Sequence, residues 1–497
     1  TLATSFLYKF FLRVAQTLKE DCKPDPQLPS VPEIPQNEIS GSDSFINSMK
    51  PSIRGIQKYP EPKVAAGLEE NPVYKKVDSL QPEAAQVGKP ATHLSGPLHC
   101  TGEAVYIDDI PLVSKTLQAS LVLAQQCGCT LESISAEKAL AIPGVEGIYF
   151  ATDVEAIGGS NAMGAIVHDE ILFLPIGSRV QTYGQVIGVA VAETLELAEL
   201  AARSVELKYG PVDEKVVVSI EDAIEAESYF EFARHKIERG DMDIVKEIPD
   251  VSSKSDLVDG DVVSVSGSFR TGGQEHFYLE TNSTLVVPSD SDTDLTIFAS
   301  TQATTKTQKF CSLVTNTPAS KVVVKTKRMG GGFGGKETRS VFISCAAALA
   351  SKMTCRPVRI TISRETDMSI TGGRHSFLAK YKASAITKEN GSVALHALDV
   401  KLYSNGGWAF DLTGPVMDRA LLHVDGCYYW PHFRAEGVPC KTAQPNHTAF
   451  RGFGGPQGIA VMEHIMEHIA VECGVDSVQL RRENMYEVGQ AAPFGMI

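Results

Sequence analysis

The chain reads as an α+β protein: a small α+β domain over residues 93–212, followed by a strand-rich α+β domain over 235–497. Three observations predict this. Strand-like and helix-like runs alternate over 93–209. From Val262 onward strand-like runs dominate, without a βαβ repeat. Strong helical signals there are confined to 340–350 and 459–473, the second with Ile459, Met462, Ile465, Met466 and Ile469 at helical spacing.

Taken in order, residues 1–20 read as one amphipathic helix. Lys9 and Arg13 interrupt its aromatic run, so it is not a secretory signal core. Residues 21–92 carry Pro24, Pro26, Pro29, Pro32 and Pro35 among Ser, Asp and Glu, a composition that packs no core and reads as a linker. The small domain then shows strand-like runs at 117–123, 186–192 and 204–209 and helix-like ones at 136–141 and 195–202. Residues 213–260 look acidic and irregular, an inter-domain strap in which the charges of 221–231 form a solvated face. Strands are expected at 262–269, 284–287, 295–300, 321–327, 358–363 and 395–403.

Composition excludes several classes. The chain has 497 residues, 43% of them apolar, which suits about three folded domains at roughly 150 residues each. A net charge of −14 with a pI near 5.4 argues against a nucleic-acid partner. No apolar run is long enough to span a membrane. Of ten cysteines only Cys127 and Cys129 are close together, and nothing nearby completes a zinc or iron–sulfur set. Reduced thiols in a cytoplasmic protein are the expectation.

The most informative feature is an internal echo. Gly332-Phe333-Gly334-Gly335 recurs as Gly452-Phe453-Gly454-Gly455, each after an extended segment and before an amphipathic helix. Residues 330–335 formally match G-x-G-x-x-G, but no acidic residue closes the next strand at the expected spacing and no βαβ unit surrounds them. They nearly form a phosphate loop, Gly330-x4-Gly335-Lys336, but Glu337 stands where Ser or Thr must hold Mg²⁺. Glycines that admit close backbone approach, amide donors, flat Phe faces and a nearby carboxylate suit a flat polar heteroaromatic ligand beside an anionic group. Glycines serving only as tight turns are the competing reading.

Two stretches carry a family resemblance: Lys327-Arg328-Met329-Gly330-Gly331-Gly332-Phe333-Gly334-Gly335-Lys336-Glu337-Thr338-Arg339, and Thr448-Ala449-Phe450-Arg451-Gly452-Phe453-Gly454-Gly455-Pro456-Gln457-Gly458. Supporting stretches run from Gly272 to Glu280, Ser300 to Gln302 and Thr371 to His375. Over about 93–490 the chain closely resembles the xanthine dehydrogenases, which are molybdenum hydroxylases. The resemblance implies that 1–20 is the tail of a flavin domain, that 93–212 is a hammerhead-type domain, and that 235–497 is the first of two molybdopterin-binding domains. It implies a molybdenum–molybdopterin cofactor in this region, FAD and two [2Fe-2S] clusters upstream, and a cytoplasmic homodimer. Gln302, Phe333, Gly334 and Arg451 then resemble contacts to the molybdenum–molybdopterin centre. Glu337, Arg419 and Phe453 resemble substrate-binding residues.

The implied activity is hydroxylation of purines, hypoxanthine to xanthine to urate, with water as the oxygen source. The pairing of Glu337 with Arg419 favours purines over aldehydes or other N-heterocycles such as nicotinate, which are the related alternatives. A cofactor-free scaffold is the alternative of another class. The family's general-base glutamate falls beyond Ile497, so no residue here is read as that base. The chain is expected to be a central fragment, inactive alone. Gln302, Phe333, Glu337, Arg419, Arg451 and Phe453 are expected to line one small-molecule cavity.

Overall fold

Two sheets organise the computed structural model, which describes residues 93–213, 215–250, 260–289 and 294–497. The helix expected at 1–20 and the linker at 21–92 lie outside these residues. Pro97–Ile497 folds as one unit.

The larger sheet has seven strands, in the order Val322–Lys325, Leu295–Ala299, Ser283–Pro288, Val358–Thr361, Leu117–Leu123, Val186–Ala192 and Val145–Phe150. Its first four strands come from the larger sequence domain and its last three from the smaller. The join is a parallel pairing of Leu117 with Val358 and Ala119 with Ile360. The two α+β segments therefore share one continuous sheet. The helix Arg339–Thr354 is buried along nearly its whole length against this sheet. Its run of Ala346, Ala347, Ala348 and Ala350 lets it sit close, because side chains this small keep the helix axis near the strands. The helix Thr304–Val314 packs beside it through Phe310, Cys311 and Val314.

The second sheet has five strands: Val262–Thr271, Phe377–Thr387, Val393–Asn405, His432–Cys440 and His235–Arg239. The stretch expected to be an irregular strap therefore supplies the edge strand His235–Arg239, as well as the short helices Ile220–Glu225 and Met242–Lys246. Ser219 and Asp222 form a capping box that starts the first of these helices. The charges at 221–231 remain largely exposed, in pairs such as Lys215 with Glu225 and Arg234 with Glu231.

One face of this sheet is covered by the helices Thr413–Leu421 and Gly455–Cys473, with Met462, Ile465, Met466 and Ile469 in the core. The longer helix begins with a proline in its first turn, where the missing N–H is no loss, and ends on left-handed Gly474. The expected helix at 459–473 thus starts one turn earlier, at Gly455. A small sheet of Arg179–Val180, Cys129–Ser135 and Glu206–Tyr209 completes the smaller sequence domain. No described helix is long and apolar enough to cross a membrane.

Candidate cofactor and substrate site

The two glycine loops adopt the same turn. Phe333 has φ +53° and Gly334 +104°; Phe453 has φ +52° and Gly454 +94°. Each turn closes with one backbone bond, Gly335 N–H to Gly332 C=O at 2.8 Å and Gly455 N–H to Gly452 C=O at 3.0 Å. Two successive residues with positive φ make a tight reversal. Holding a phenylalanine there costs roughly 1–2 kcal/mol, so the surrounding packing must impose it.

The packing that imposes it differs between the loops. A Cβ on Gly334 would fall 2.5 Å from the carbonyl oxygen of Ala449, and one on Gly454 would fall 2.0 Å from that of Val416. The first loop is thus pressed against the segment leading into the second. The second is pressed against the helix Thr413–Leu421.

The loops are also bonded to each other. The Arg451 N–H donates to the Phe333 carbonyl at 2.9 Å. Gln302 locks the first loop from behind: its Oε1 accepts from the N–H groups of Gly334 (2.9 Å) and Lys336 (3.2 Å). With Oε1 so occupied, the amide nitrogen of the exposed Gln302 is left as a donor. The amides of Gly332, Phe333 and Gly452 donate to no acceptor among the described residues.

Beneath the loops lie polar braces for which the sequence carried no assigned role. Lys336, fully buried, donates to the Glu280 carbonyl (2.6 Å) and Ser300 Oγ (2.7 Å), with the Glu280 carboxylate at 3.4 Å. Burial pushes the Lys336 ammonium below its usual pKa, and Glu280 opposes that shift. The same Glu280 carboxylate accepts the Gly330 N–H at 2.6 Å.

His276 Nε2 meets the Ala449 carbonyl at 2.8 Å, and its ring stacks on Phe450. Burial lowers its pKa, which favours the neutral ring, so Nε2 is the donor. Arg374 lies over the Phe450 ring at 4.0 Å and donates to the Arg451 carbonyl at 2.9 Å.

Two residues past Glu337, Arg339 binds Glu170 with both terminal nitrogens (2.7 and 2.8 Å) and reaches Asp411 at 3.0 Å. All three groups are buried. Burial raises the Glu170 pKa, and Arg339 draws it back. Glu170 belongs to the smaller sequence domain, so this bridge ties that domain to the start of the helix behind the first loop.

The structure brings Gln302, Phe333, Gly334 and Arg451 into one bonded group. Arg419, exposed on Thr413–Leu421, lies beside the second loop: its Nε is 3.9 Å from where a Gly455 Cβ would be. Phe453 packs partly against the core of the five-stranded sheet. Glu337 sits half-exposed after the first loop, its N–H donating to the Gly334 carbonyl at 3.2 Å. No described hydrogen bond or ion pair joins Glu337 to Arg419.

The single cavity expected for the six residues is not among the described cavities. None of the described cavities is lined by these six residues. One of about 60 Å³ lies instead between Thr182–Val186 and Arg339, Phe342 and Trp408. Four of the six, Gln302, Phe333, Arg419 and Arg451, are exposed, so they border an open face. Among the described residues no group of three or more His, Cys, Asp or Glu is placed to hold a metal ion. The donors on these loops are amides, which suits hydrogen bonding to a metal–pterin cofactor's oxygens and sulfurs instead of direct ligation.

Comparison with known proteins identifies the two domains. Residues 101–213 match the family model of the aldehyde oxidase and xanthine dehydrogenase a/b hammerhead domain. Residues 231–485, more than half the chain, match that of the molybdopterin cofactor-binding domain. The chain is 40% identical to the xanthine dehydrogenase/oxidase of Felis catus over 99% of its own length and 34% of that protein. It is 38% identical to the xanthine dehydrogenase of Calliphora vicina over 98% of its length and 33% of that protein. It thus spans about a third of these relatives. Its fold is similar to that of the aldehyde oxidoreductase from Desulfovibrio gigas, with TM-score 0.70 and 22% identity over 85% of this chain and 47% of that one. Quinoline 2-oxidoreductase from Pseudomonas putida 86 gives TM-score 0.69 and 20% identity over 82% and 52%. From its two family domains, in this order on one shared sheet, the chain belongs to the aldehyde oxidase and xanthine dehydrogenase family of molybdopterin cofactor-binding proteins.

Proposed function

We propose that this chain carries one wall of the active site of a molybdenum-dependent purine hydroxylase, which converts hypoxanthine to xanthine and xanthine to urate with oxygen from water. One observation carries the reading: the Phe333 carbonyl bound by the Arg451 N–H at 2.9 Å, with Gln302 locking the first loop.

When bound, the molybdenum–molybdopterin group supplies the redox chemistry. The chain's own residues hold and polarise. Gln302, Phe333, Gly334 and Arg451 offer the cofactor a rigid set of backbone and amide contacts. Phe453 presents a flat face that orients the substrate ring. Glu337, whose carboxylate has no partner among the described residues, accepts a ring N–H. Arg419 stabilises negative charge that builds on a purine oxygen, as a fixed cation does in a water-poor pocket.

The remaining walls and the general base belong to other parts of the complete protein. So do FAD, the two [2Fe-2S] clusters and electron delivery to NAD⁺ or oxygen. A cytoplasmic homodimer is part of the same reading.

The test uses the complete protein with Glu337→Val and Arg419→Met. Xanthine kcat/KM is expected to fall by about 100-fold or more relative to an aromatic aldehyde, the scale of losing one preorganised charge-stabilising group. An unchanged ratio would transfer the reading to an aldehyde or other N-heterocycle hydroxylase. Absence of molybdenum from the purified complete protein would leave only the scaffold reading.

A further inference from the structure

The helix Gly455–Cys473 carries a second cluster that the glycine-loop site does not use. His464 and His468 are four residues apart and so share one helix face. Both are half-exposed. Tyr381, on the strand Phe377–Thr387, places its hydroxyl between them, 3.1 Å from His464 Nε2 and 2.8 Å from His468 Nδ1.

The surroundings hold this arrangement. Gly267 lies directly across the sheet from Tyr381. A Cβ there would come within 2.7 Å of the Tyr381 hydroxyl, so glycine is what leaves room for it. Phe269, two residues further along the same strand, stacks on the His464 ring at 4.6 Å and 21°. Strand and helix thus fix both the phenol and one imidazole.

The chemistry of the three groups converges. A phenol has one proton, so it satisfies one imidazole lone pair and must accept an N–H from the other ring. When a cation replaces both protons of this triad, the phenol proton leaves to solvent and the imidazole that donated its N–H moves that proton to its other ring nitrogen, so all three atoms become donors to one centre. Zinc ligands at about 2.0–2.2 Å from the metal stand roughly 3–3.5 Å apart, so the two phenol–imidazole separations need to open by only a few tenths of an ångström.

We propose that His464, His468 and Tyr381 form a three-donor site for a borderline divalent cation of the zinc class, at the seam between the helix Gly455–Cys473 and the five-stranded sheet. Two imidazoles and a phenolate, with water in the fourth position, match the ligand type and number of an open tetrahedral site. Binding releases the phenol proton to solvent. Burial, with His468 adding to it, lowers the His464 pKa and so keeps its lone pair available at neutral pH. Burial also keeps the Tyr381 phenol protonated until a metal displaces the proton.

The experiment is equilibrium dialysis of the full chain against Zn²⁺, comparing wild type with His464→Gln, His468→Gln and Tyr381→Phe. Each histidine variant should bind one Zn²⁺ per chain fewer. Tyr381→Phe should weaken that same equivalent by at least about tenfold, the low end of what removing even an outer-shell partner costs. Unchanged stoichiometry and affinity in both histidine variants would overturn the site. A second reading needs no variant to fold: Zn²⁺ added to wild type should produce the ultraviolet difference signal of an ionised tyrosine. Metal uptake without that signal would overturn the three-donor arrangement.

Discussion

The loops 332–335 and 452–455 have the same four residues and nearly the same φ at the phenylalanine and the glycine after it, yet different structures enforce them. The first, besides its contact with the Ala449 carbonyl, is braced by buried charge: Lys336 on Glu280 beneath it, and Arg339 between Glu170 and Asp411 behind it. The second is held by shape, with Gly454 and Gly458 against the backbone of Thr413–Leu421. A turn that costs free energy in isolation can thus be imposed by electrostatics or by steric fit, and the two should fail differently.

The largest expected effect separates them on charge. Arg339→Met leaves Glu170 and Asp411 buried without their cation, and breaking such a group typically costs about 3–5 kcal/mol. The loss is read as a fall in denaturant midpoint. A change below about 1 kcal/mol would mean that water enters and solvates both carboxylates.

Acid should strike the segment that leads into the second loop. His447 is half-buried, and desolvation by the surrounding protein pushes its pKa down to about 4 from 6.5. A histidine held neutral in the fold stabilises fully above its unfolded pKa, and that contribution is lost as pH falls from about 6.5 toward 4. The loss amounts to about 3 kcal/mol if the whole shift is expressed. Melting curves across this window should flatten in His447→Gln, and identical slopes in both proteins would remove His447 as the cause.

Adding one carbon to each loop compares the steric terms directly. Gly334→Ala and Gly454→Ala both force a Cβ into a left-handed residue and against a carbonyl. About 1–3 kcal/mol each is expected from overpacking, with Gly454→Ala the worse because its contact is closer. The reverse order in paired thermal melts would show that the helix Thr413–Leu421 yields more easily than the Ala449 segment.

The smallest effect should differ in sign. Asparagine tolerates the left-handed region. Phe333 is 46% exposed, so Phe333→Asn should leave stability unchanged or raise it by up to about 1 kcal/mol. Phe453 packs on the core, so Phe453→Asn should destabilise. Two equal shifts in melting temperature would erase the distinction between the loops.

Much of this molecule was legible locally. The G-F-G-G echo marked both turns because only glycine-rich sequence allows consecutive positive φ. The helix Gly455–Cys473 was visible from its apolar period, and the fold class from the alternation of elements. Other elements were disguised. His432–Cys440 contains Gly437 and Pro439, which argue against a strand. Pro439 is tolerated because it lies beyond the last residue paired with His235–Arg239. His235–Arg239 reads as a charged strap because it is an edge strand with solvent on its charges. Thr413–Leu421 opens with Gly414 and Pro415, which hide a helix.

By itself the sequence determined the paired glycine turns, the apolar helix that follows the second of them and the family, because turn chemistry and apolar period act over a few residues. Tertiary structure alone decided that two sequence domains share one sheet through Leu117 and Val358. It alone joined Phe333 to Arg451 and set Arg339 between Glu170 and Asp411. The reason is physical: a hydrogen bond or ion pair between distant residues leaves no period or spacing in the chain. It exists only when the fold has already brought its partners within about 3 Å.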